Sequence, residues 1–315
     1  MDIQRIHPEV RKIVKRIPNF PVHNRTVVKF SGFVMNLVTK KRSLIDGVKI
    51  SNIRLGDASI RLYRPASELS GAALMWIHGG GLIGGNSAMN DQLCADYAND
   101  LKAIVVSVGY RLALKAPFPA AIDDCYSAWQ WLLAEADTLG VDTSRIVVSG
   151  QSAGGGLAAN LTHRIHDEGG VQPIAQSLLC PMLDDRTATR RELDAMNHRI
   201  VNNSFIRCAW TYYLEQAPGA ANTPDYAVAA RRKDLSGLPQ AWMSIGDVDL
   251  FYDEVCEYAR RLKDSGVDCH LHVTPMGPHG FENVAPEASI TKELFADNFQ
   301  FLRRVLNQAP SLQAA

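Results

Sequence analysis

The sequence lacks the features that mark several large classes of protein. Its 315 residues include no apolar run near the roughly 18 residues of a membrane span, and no repeat or low-complexity tract. Lys plus Arg and Asp plus Glu both total 33, so no excess of either charge favours nucleic acid or a charged partner. We therefore expect no nucleic-acid binding, no stable membrane insertion and a small, uncharged ligand.

Cysteine is sparse and never closely paired. The six cysteines are scattered singly, without a C-x-x-C pair. This spacing argues against a zinc site and offers no disulfide framework, so we expect free thiols in a reducing compartment. The N-terminus also lacks the apolar run of a secretory signal peptide. Together these absences predict a cytoplasmic protein.

Residues 1–46 are predicted to form a separate, mostly helical segment. Apolar residues recur there at helical spacing with cations between them, and Pro18 ends the pattern. Such a stripe could touch an anionic membrane surface, but more often it faces a core, and we expect it to dock on the main body. The apolar positions are Ile3, Ile6, Val10, Ile13, Val14 and Ile17.

From Val48 onward the pattern changes to strands that alternate with helices. Val48–Leu55 and Ser59–Tyr63 predict an antiparallel pair joined through Gly56-Asp57. Buried strands are predicted at 72–77, 103–108, 146–149, 174–179, 241–245 and 269–273, and helices at 121–139, 153–165, 252–265 and 293–306. This order predicts an α/β fold with a mostly parallel, twisted sheet and helices on both faces.

One connection is too long to be a simple loop. About sixty residues separate the strand ending near Cys180 from the strand starting near Ala241. Within them, residues 203–215 have a helical pattern rich in large apolar side chains. We interpret residues 184–224 as an insertion that joins residues 1–46 in a helical cap, with 47–183 and 225–315 forming the core. The aromatic residues of the insertion either line a ligand pocket or form the core of the cap, which is the commoner role; they are Phe205, Trp210, Tyr212 and Tyr213.

A glycine-framed serine carries the first chemical signal. Gly150–Gly154 has the form G-x-S-x-G between a predicted strand and a predicted helix, the sharp turn that exposes a serine hydroxyl. The helix N-terminus adds positive potential and free N–H groups beside the serine. We therefore predict that Ser152 is a nucleophile rather than a structural turn residue.

A second glycine-rich motif, His78–Gly81, follows an earlier strand. Loops of this form supply backbone N–H groups to an oxyanion, and the candidate donors are Gly80 and Gly81, with Ala153 behind the serine. A phosphate loop needs G-K-[ST] or a G-x-G-x-x-G that opens a helix, and neither pattern fits well. We expect His78 to anchor the loop by hydrogen bonding rather than act as a base.

The candidates for the base are the histidines that follow the helix predicted after Ser152. His270 and His272 alternate on a predicted strand, where sheet packing fixes their side chains, and His198 lies in the predicted cap. His279 lies in a glycine-rich loop just after the last strand. Because a loop there can reach across the strand ends to Ser152, we predict His279 as the base.

Four carboxylates follow the strand at 241–245. Asp253 and Glu254 fall in the first turn of the next helix, where acids are favoured as solvated or capping groups. Asp247 and Asp249 remain in the loop before it. On these grounds the two aspartates are nearly equal candidates for the acid that orients the base.

Taken in order, the motifs resemble the hormone-sensitive lipase family, or class IV bacterial esterases, within the α/β-hydrolase fold. The aspartate opening the stretch that ends in Asp253-Glu254 is catalytic in that family, which implies Asp249 rather than Asp247. The resemblance also implies a two-part helical cap, no metal or organic cofactor, a homodimer, and hydrolysis of short- to medium-chain acyl esters through an acyl-enzyme. It rests on His78–Gly81, Tyr110–Ala113 with Phe118–Ala121, Gly150–Gly155, Asp249–Glu254 and His279–Phe281.

Two positions depart from the family pattern. Gln151 stands where the family often has an acid or threonine, which leaves the pH optimum open. Leu114 and Lys115 replace the usual proline and glutamate, and we expect a changed loop rather than lost activity. The same triad would also serve an amidase or peptidase, and a hydrolase scaffold can carry a small-molecule-binding protein instead. The presence of all three triad residues speaks against a binding protein.

Overall fold

One mixed sheet organises the computed structural model, which describes residues 2–17, 42–196 and 198–308. Within these residues the strand order is β1-β2-β3-β5-β4-β6-β7-β8-β9. Strands β1, β2, β3 and β5 pair antiparallel, and every neighbouring pair from β5 to β9 is parallel. The mostly parallel sheet predicted from the sequence is thus confirmed. The strands are β1 Leu44–Ile45, β2 Val48–Leu55, β3 Ala58–Arg64, β4 Ala73–Ile77, β5 Ile104–Gly109, β6 Ile146–Gln151, β7 Ala175–Leu179, β8 Gln240–Gly246 and β9 Cys269–Thr274.

Helices cover both faces of this sheet. Alternate residues of β4 enter opposite hydrophobic clusters, because side chains alternate along a strand: Met75 lies in one cluster and Trp76 in the other. The first cluster includes residues of α3, α5, α7 and α8, and the second includes residues of α1, α2 and α10. The helices are α1 Pro8–Val14, α2 Asp91–Leu101, α3 Ala120–Ala134, α4 Ala136–Leu139, α5 Ala153–Glu168, α6 Glu192–Met196, α7 Asn203–Leu214, α8 Tyr252–Asp264, α9 Phe281–Val284 and α10 Ser289–Gln308.

The predicted elements agree with the observed ones apart from their ends and one helix that is divided in two. The hairpin turns through Gly56-Asp57 as expected, with Leu55 opposite Ala58. The helix predicted at 121–139 is two helices, because α3 ends at Ala134 and α4 begins at Ala136. All six cysteines lie in the described residues, and none of them forms a disulfide.

The N-terminal helix starts later than its apolar pattern suggests. Residues Ile3–Arg5 form a 3-10 turn, Ile6 is extended, His7 has a non-helical ψ of 134, and α1 begins at Pro8. Proline lacks an N–H and disfavours the helical conformation in the residue before it, so the helix cannot run through from Ile3. As expected, the stripe docks on the main body, where its buried residues join the second cluster. These are Ile6, Val10 and Val14.

The predicted boundary between cap and core at residue 46 falls after the first strand, because β1 already pairs with β2. Residues 18–41 of the predicted cap lie outside the described residues. The insertion at 184–224 contains a 3-10 turn, Asp185–Thr189, and the helices α6 and α7. Helix α7 is joined to the chain before α3, since the N–H of Phe118 donates to the carbonyl of Tyr213 at 2.8 Å. The division into cap and core stays a prediction.

Candidate active site

Ser152 occupies a strained turn between β6 and α5. Its backbone has φ 55 and ψ −122, a conformation that a residue with a side chain adopts only when its surroundings enforce it. Two hydrogen bonds do so. The N–H of Ser152 donates to the carbonyl of Leu179 at 2.8 Å, and the N–H of Met182 donates to the carbonyl of Ser152 at 2.9 Å. The sharp turn predicted from G-x-S-x-G, here called the elbow, is therefore present at Gly150–Gly154.

The glycines around the serine are required by close backbone contacts. A Cβ on Gly150 would lie 2.3 Å from the carbonyl oxygen of Gly154. A Cβ on Gly154 would lie 2.1 Å from the carbonyl oxygen of Ile77, at the end of β4. Neither space admits a side chain, so the two glycines let α5 begin directly against the strand ends.

The structure brings the predicted nucleophile, base and acid into one hydrogen-bonded chain. The Oγ of Ser152 lies 2.8 Å from Nε2 of His279, and Nδ1 of His279 lies 2.8 Å from Oδ2 of Asp249. A carboxylate only accepts, so Nδ1 carries the proton and Nε2 is free to accept the hydroxyl proton. The N–H of Phe251 donates to Oδ1 of Asp249 at 2.9 Å and fixes the carboxylate. All three side chains are buried.

The two candidate aspartates separate clearly in space. Asp247 is exposed and accepts a hydrogen bond from the N–H of Met276 at 2.6 Å. Asp249 is buried against His279. The geometry thus favours Asp249, the residue that the family resemblance implied.

The pKa of His279 reflects opposing effects. Burial alone lowers the pKa, but the charge of Asp249, its hydrogen bond and the charge of Glu282 together raise the pKa of His279 above its ordinary value. A base must be neutral to accept the serine proton. The activity of such a site is therefore lost as the pH falls through this raised pKa.

The predicted oxyanion loop is folded against the elbow. A Cβ on Gly79 would lie 3.3 Å from the Cβ of Ser152. Beyond it, Gly80 and Gly81 have φ of 114 and 62, and the N–H of Gly84 donates to the carbonyl of Gly80 at 2.9 Å. Within the described part of the chain, the backbone hydrogen bonds do not include the N–H groups of Gly80, Gly81 or Ala153. The three donors stay a prediction that this geometry supports.

His78 anchors the loop, as the sequence suggested. Its Nδ1–H donates to the carbonyl of Gly79 at 2.7 Å, and its ring stacks on Tyr110 with centroids 4.3 Å apart. The hydroxyl of Tyr110 in turn donates to the carbonyl of His78 at 2.9 Å. Burial lowers the pKa of His78 to about 4, so the ring is neutral and acts as a structural group.

The two acids at the start of α8 have different surroundings. Asp253 is exposed and pairs with Arg190 at 2.6 Å, as expected for a solvated group. The expectation of a solvated or capping group is wrong for Glu254, which is buried and accepts the N–H of Leu183 at 2.7 Å and the hydroxyl of Thr187. Burial raises its pKa well above the ordinary value. Glu254 holds the chain at the point where the predicted insertion begins.

A buried carboxylate beside the triad was missed in the sequence. Glu282 accepts a hydrogen bond from the side-chain amide of Gln151, and the Sγ of Cys180 lies 3.8 Å from the same oxygen. The Nδ2 of Asn90 lies 3.5 Å from Oε1 of Gln151 and 3.4 Å from Oδ1 of Asn283. The amide at position 151 therefore joins the turn at Ser152 to the segment that follows His279. The sequence feature that could have indicated Glu282 is its position three residues after His279, the predicted base.

Glu282→Gln is expected to move the acid limb of kcat/KM to lower pH. Among the described residues, the titratable groups identified around Glu282 are His279, Asp249, Cys180 and Tyr97. Removing its charge removes one of the causes that raise the pKa of His279, so the base stays neutral to lower pH. An amide oxygen can still accept from Gln151, so activity on the alkaline side should fall by less than about tenfold, or ~1.4 kcal/mol.

The measurement is the pH profile of kcat/KM for wild type and Glu282→Gln. Glu287→Gln serves as the control, because Glu287 is exposed and pairs only with the surface residue Lys292 among its described ion pairs. An acid limb that stays in place, or moves to higher pH, would show that Glu282 does not act on the base.

The aromatic residues of α7 divide between the two proposed roles. Trp210 and Tyr213 are buried, and Tyr213 packs edge-on against Phe118 with centroids 5.7 Å apart. Phe205 is only partly buried, and its Cε1 lies 2.6 Å from the position that a Cβ on Gly81 would occupy. Phe205 thus faces the predicted oxyanion loop, while the other two pack in the protein interior.

Ligand atoms of Cys180, Asp249 and His279 all lie within 4.8 Å of one another, an arrangement that could hold a metal ion. Burial raises the pKa of the Cys180 thiol well above its ordinary value, whereas a metal ligand must be the thiolate. His279 is also bonded through Nε2 to Ser152 and through Nδ1 to Asp249, so both of its ring nitrogens belong to the hydrogen-bonded chain that starts at Ser152. The arrangement therefore suits proton transfer better than metal binding.

Several known proteins with related sequences and structures are named as esterases. The sequence profile of the α/β-hydrolase fold matches residues 74–283. The chain is 34% identical over 230 residues to ethyl acetate hydrolase of Pseudomonas putida, covering 70% of each chain. It is 31% identical over 255 residues to carboxylesterase NlhH of Mycobacterium tuberculosis, covering 80% of each chain.

Solved structures agree over nearly the whole length. Bacterial heroin esterase superposes with a TM-score of 0.88 at 32% identity, covering 97% of this chain and 99% of that one. An esterase of the bacterial hormone-sensitive lipase family superposes with a TM-score of 0.81 at 25% identity, covering 95% and 99%. Among the described residues, no helix combines the length and hydrophobicity needed to cross a membrane.

Proposed function

This chain belongs to the α/β-hydrolase family, with the hormone-sensitive lipase type of bacterial esterase among its relatives, and on that premise we propose that it hydrolyses carboxylic esters at Ser152. The observation that carries the proposal is the continuous chain from Ser152 through His279 to Asp249, with both contacts at 2.8 Å. This is the arrangement that converts a weakly nucleophilic hydroxyl into an attacking group.

The first half of the reaction forms an acyl-enzyme. As Oγ of Ser152 attacks the ester carbonyl, Nε2 of His279 takes the hydroxyl proton, and Asp249 stabilises the imidazolium that results. The negative charge on the former carbonyl oxygen is stabilised by the backbone N–H groups of Gly80, Gly81 and Ala153. The tetrahedral intermediate then collapses, and His279 gives its proton to the departing alcohol.

The second half releases the acid. His279 removes a proton from water as the water attacks the acyl-enzyme, the same N–H groups stabilise the second oxyanion, and the proton returns to Ser152. The products are an alcohol and a carboxylic acid, so atoms and charge balance without a cofactor. None of these steps uses Asp247, His270 or His272.

We propose short- to medium-chain acyl esters as the substrate class. The relative from Pseudomonas putida is named for ethyl acetate, a short ester. Phe205, a residue of α7, lies beside Gly81 and puts a large side chain next to the predicted oxyanion loop. This placement favours an acyl pocket of limited size. A cytoplasmic location and a homodimer also stay predictions.

A series of p-nitrophenyl esters tests the proposed function. We expect kcat/KM to be highest for acetate to octanoate and to fall for palmitate. The p-nitroanilide of butyric acid, which offers the same acyl group on an amide, should react at least about 100-fold more slowly than the ester, or ~2.7 kcal/mol. Faster turnover of the anilide would point to an amidase, and no turnover of any compound would point to a binding protein.

A further inference from the structure

Two histidines and an aspartate meet on the sheet at a place that the proposed reaction does not use. His270 and His272 lie on β9, the last strand of the described sheet, and Asp297 lies on α10. The Nε2 of His270 is 3.0 Å and the Nδ1 of His272 is 3.2 Å from the same oxygen, Oδ2 of Asp297. The three potential ligand atoms all lie within 4.8 Å of one another.

The fold itself causes this convergence. Residues two apart on a strand point to the same face, so His270 and His272 project together. His270 is the register partner of Trp242 on β8, whose side chain lies in the hydrophobic cluster that α10 covers. Because α10 packs along this face, Asp297 is brought over both imidazoles. Two of the three groups are therefore fixed by the strand and the third by the helix.

A buried residue also orients the carboxylate. The Nε1–H of Trp242 donates to Oδ2 of Asp297 at 2.8 Å, and the Trp242 side chain is fully buried. The hydrogen bond from Trp242 explains why position 297 holds an acid. It does not explain why two imidazoles lie against the same carboxylate oxygen. Metal sites commonly hold their carboxylate ligands through such an outer hydrogen bond. The cluster thus has three ligand groups and a support for one of them.

We propose that His270, His272 and Asp297 bind a divalent transition-metal ion of the Zn²⁺ class. Two imidazole nitrogens and one carboxylate oxygen form a donor set suited to such ions, whereas Ca²⁺ and Mg²⁺ prefer oxygen ligands alone. The His270 side chain is 51% exposed and that of Asp297 is 29% exposed, so an ion can enter from solvent and keep water in its remaining positions. The bound ion clamps β9, an edge strand of the described sheet, to α10.

The test is titration of metal-free full-length protein with ZnCl₂ by calorimetry. We expect one ion per chain with a Kd below about 10 µM. His270→Ala and Asp297→Asn should each weaken binding at least about tenfold, because each removes a ligand group. Asp297→Asn keeps an oxygen that can accept from Trp242, so it tests the carboxylate charge with little disturbance of the fold. His166→Ala, a partly exposed histidine on α5, is the matched control and should bind as wild type does.

A second readout separates this site from the triad. The added Zn²⁺ should raise the Tm of wild type but not of His270→Ala, since an ion that binds only the folded state stabilises it. Ester hydrolysis should continue with the ion bound. The proposal is overturned if wild type does not bind, if either variant loses less than tenfold in affinity, or if binding inhibits hydrolysis in proportion, which would place the ion on His279.

Discussion

Ser152→Ala is expected to lower kcat for ester hydrolysis by about a million-fold, the loss seen when a serine hydrolase of the triad type loses its nucleophile. The serine supplies the only attacking atom in the proposed acyl-enzyme mechanism, and no other serine among the described hydrogen bonds contacts His279. The residual rate would come from binding and from the oxyanion donors. The measurement is single-turnover hydrolysis of p-nitrophenyl butyrate.

The control must show that the variant is folded. Alanine and serine have similar backbone preferences, so Ser152→Ala should keep the strained turn, and its circular dichroism spectrum and Tm should match those of wild type. Ser236→Ala, at an exposed serine that bonds to Asp234, should retain full activity. If Ser152→Ala retained more than about one per cent of wild-type kcat, far above the loss expected for a removed nucleophile, another residue would be attacking the ester.

Asp249→Asn is expected to lower kcat by about ten-thousand-fold, whereas Asp247→Asn should change it by less than about threefold. The asparagine keeps the size of the side chain and can still accept from Phe251, but its amide no longer holds the proton on Nδ1 of His279. With the wrong tautomer, Nε2 cannot accept the proton of Ser152. Asp247 bonds to the N–H of Met276, which an amide oxygen can also accept.

The pair of variants is its own matched control, because the same change is made two residues apart in one loop. Both should have the Tm of wild type within a few degrees, which separates a loss of catalysis from a loss of folding. Equal losses in the two variants, or a larger loss in Asp247→Asn, would show that the acid is wrongly assigned.

The contact between Ser152 and His279 could be predicted because the local backbone pattern places both residues. Where G-x-S-x-G lies between a strand and a helix, the serine must lie in the turn that joins them. A glycine-rich loop after the last strand reaches the same edge of a parallel sheet, and His279 lies in that loop. The sequence could not choose between Asp247 and Asp249 on spacing, since both lie in the loop before α8. The family resemblance implied Asp249, and in the structure the contacts of the two aspartates, with Met276 and with His279, distinguish them.

Features that depend on tertiary packing could not be predicted. The first turn of a helix favours an acid whether it is solvated or buried, so Glu254 and Asp253 looked alike, although only Glu254 is enclosed. Glu282 meets Gln151 across 131 positions of the chain. Likewise, nothing local to His270 and His272 indicated that Asp297, on a helix later in the chain, would face them.

Covalent labelling with a fluorophosphonate tests the nucleophile most directly, because it traps the oxygen that attacks the substrate. After reaction to completion, peptide mass spectrometry should find one adduct per chain, on the peptide that contains Ser152, and ester hydrolysis should be lost in proportion to labelling. Ser152→Ala should take up no label. An adduct on any other residue, or hydrolysis that persists while Ser152 is fully labelled, would contradict the assignment of Ser152.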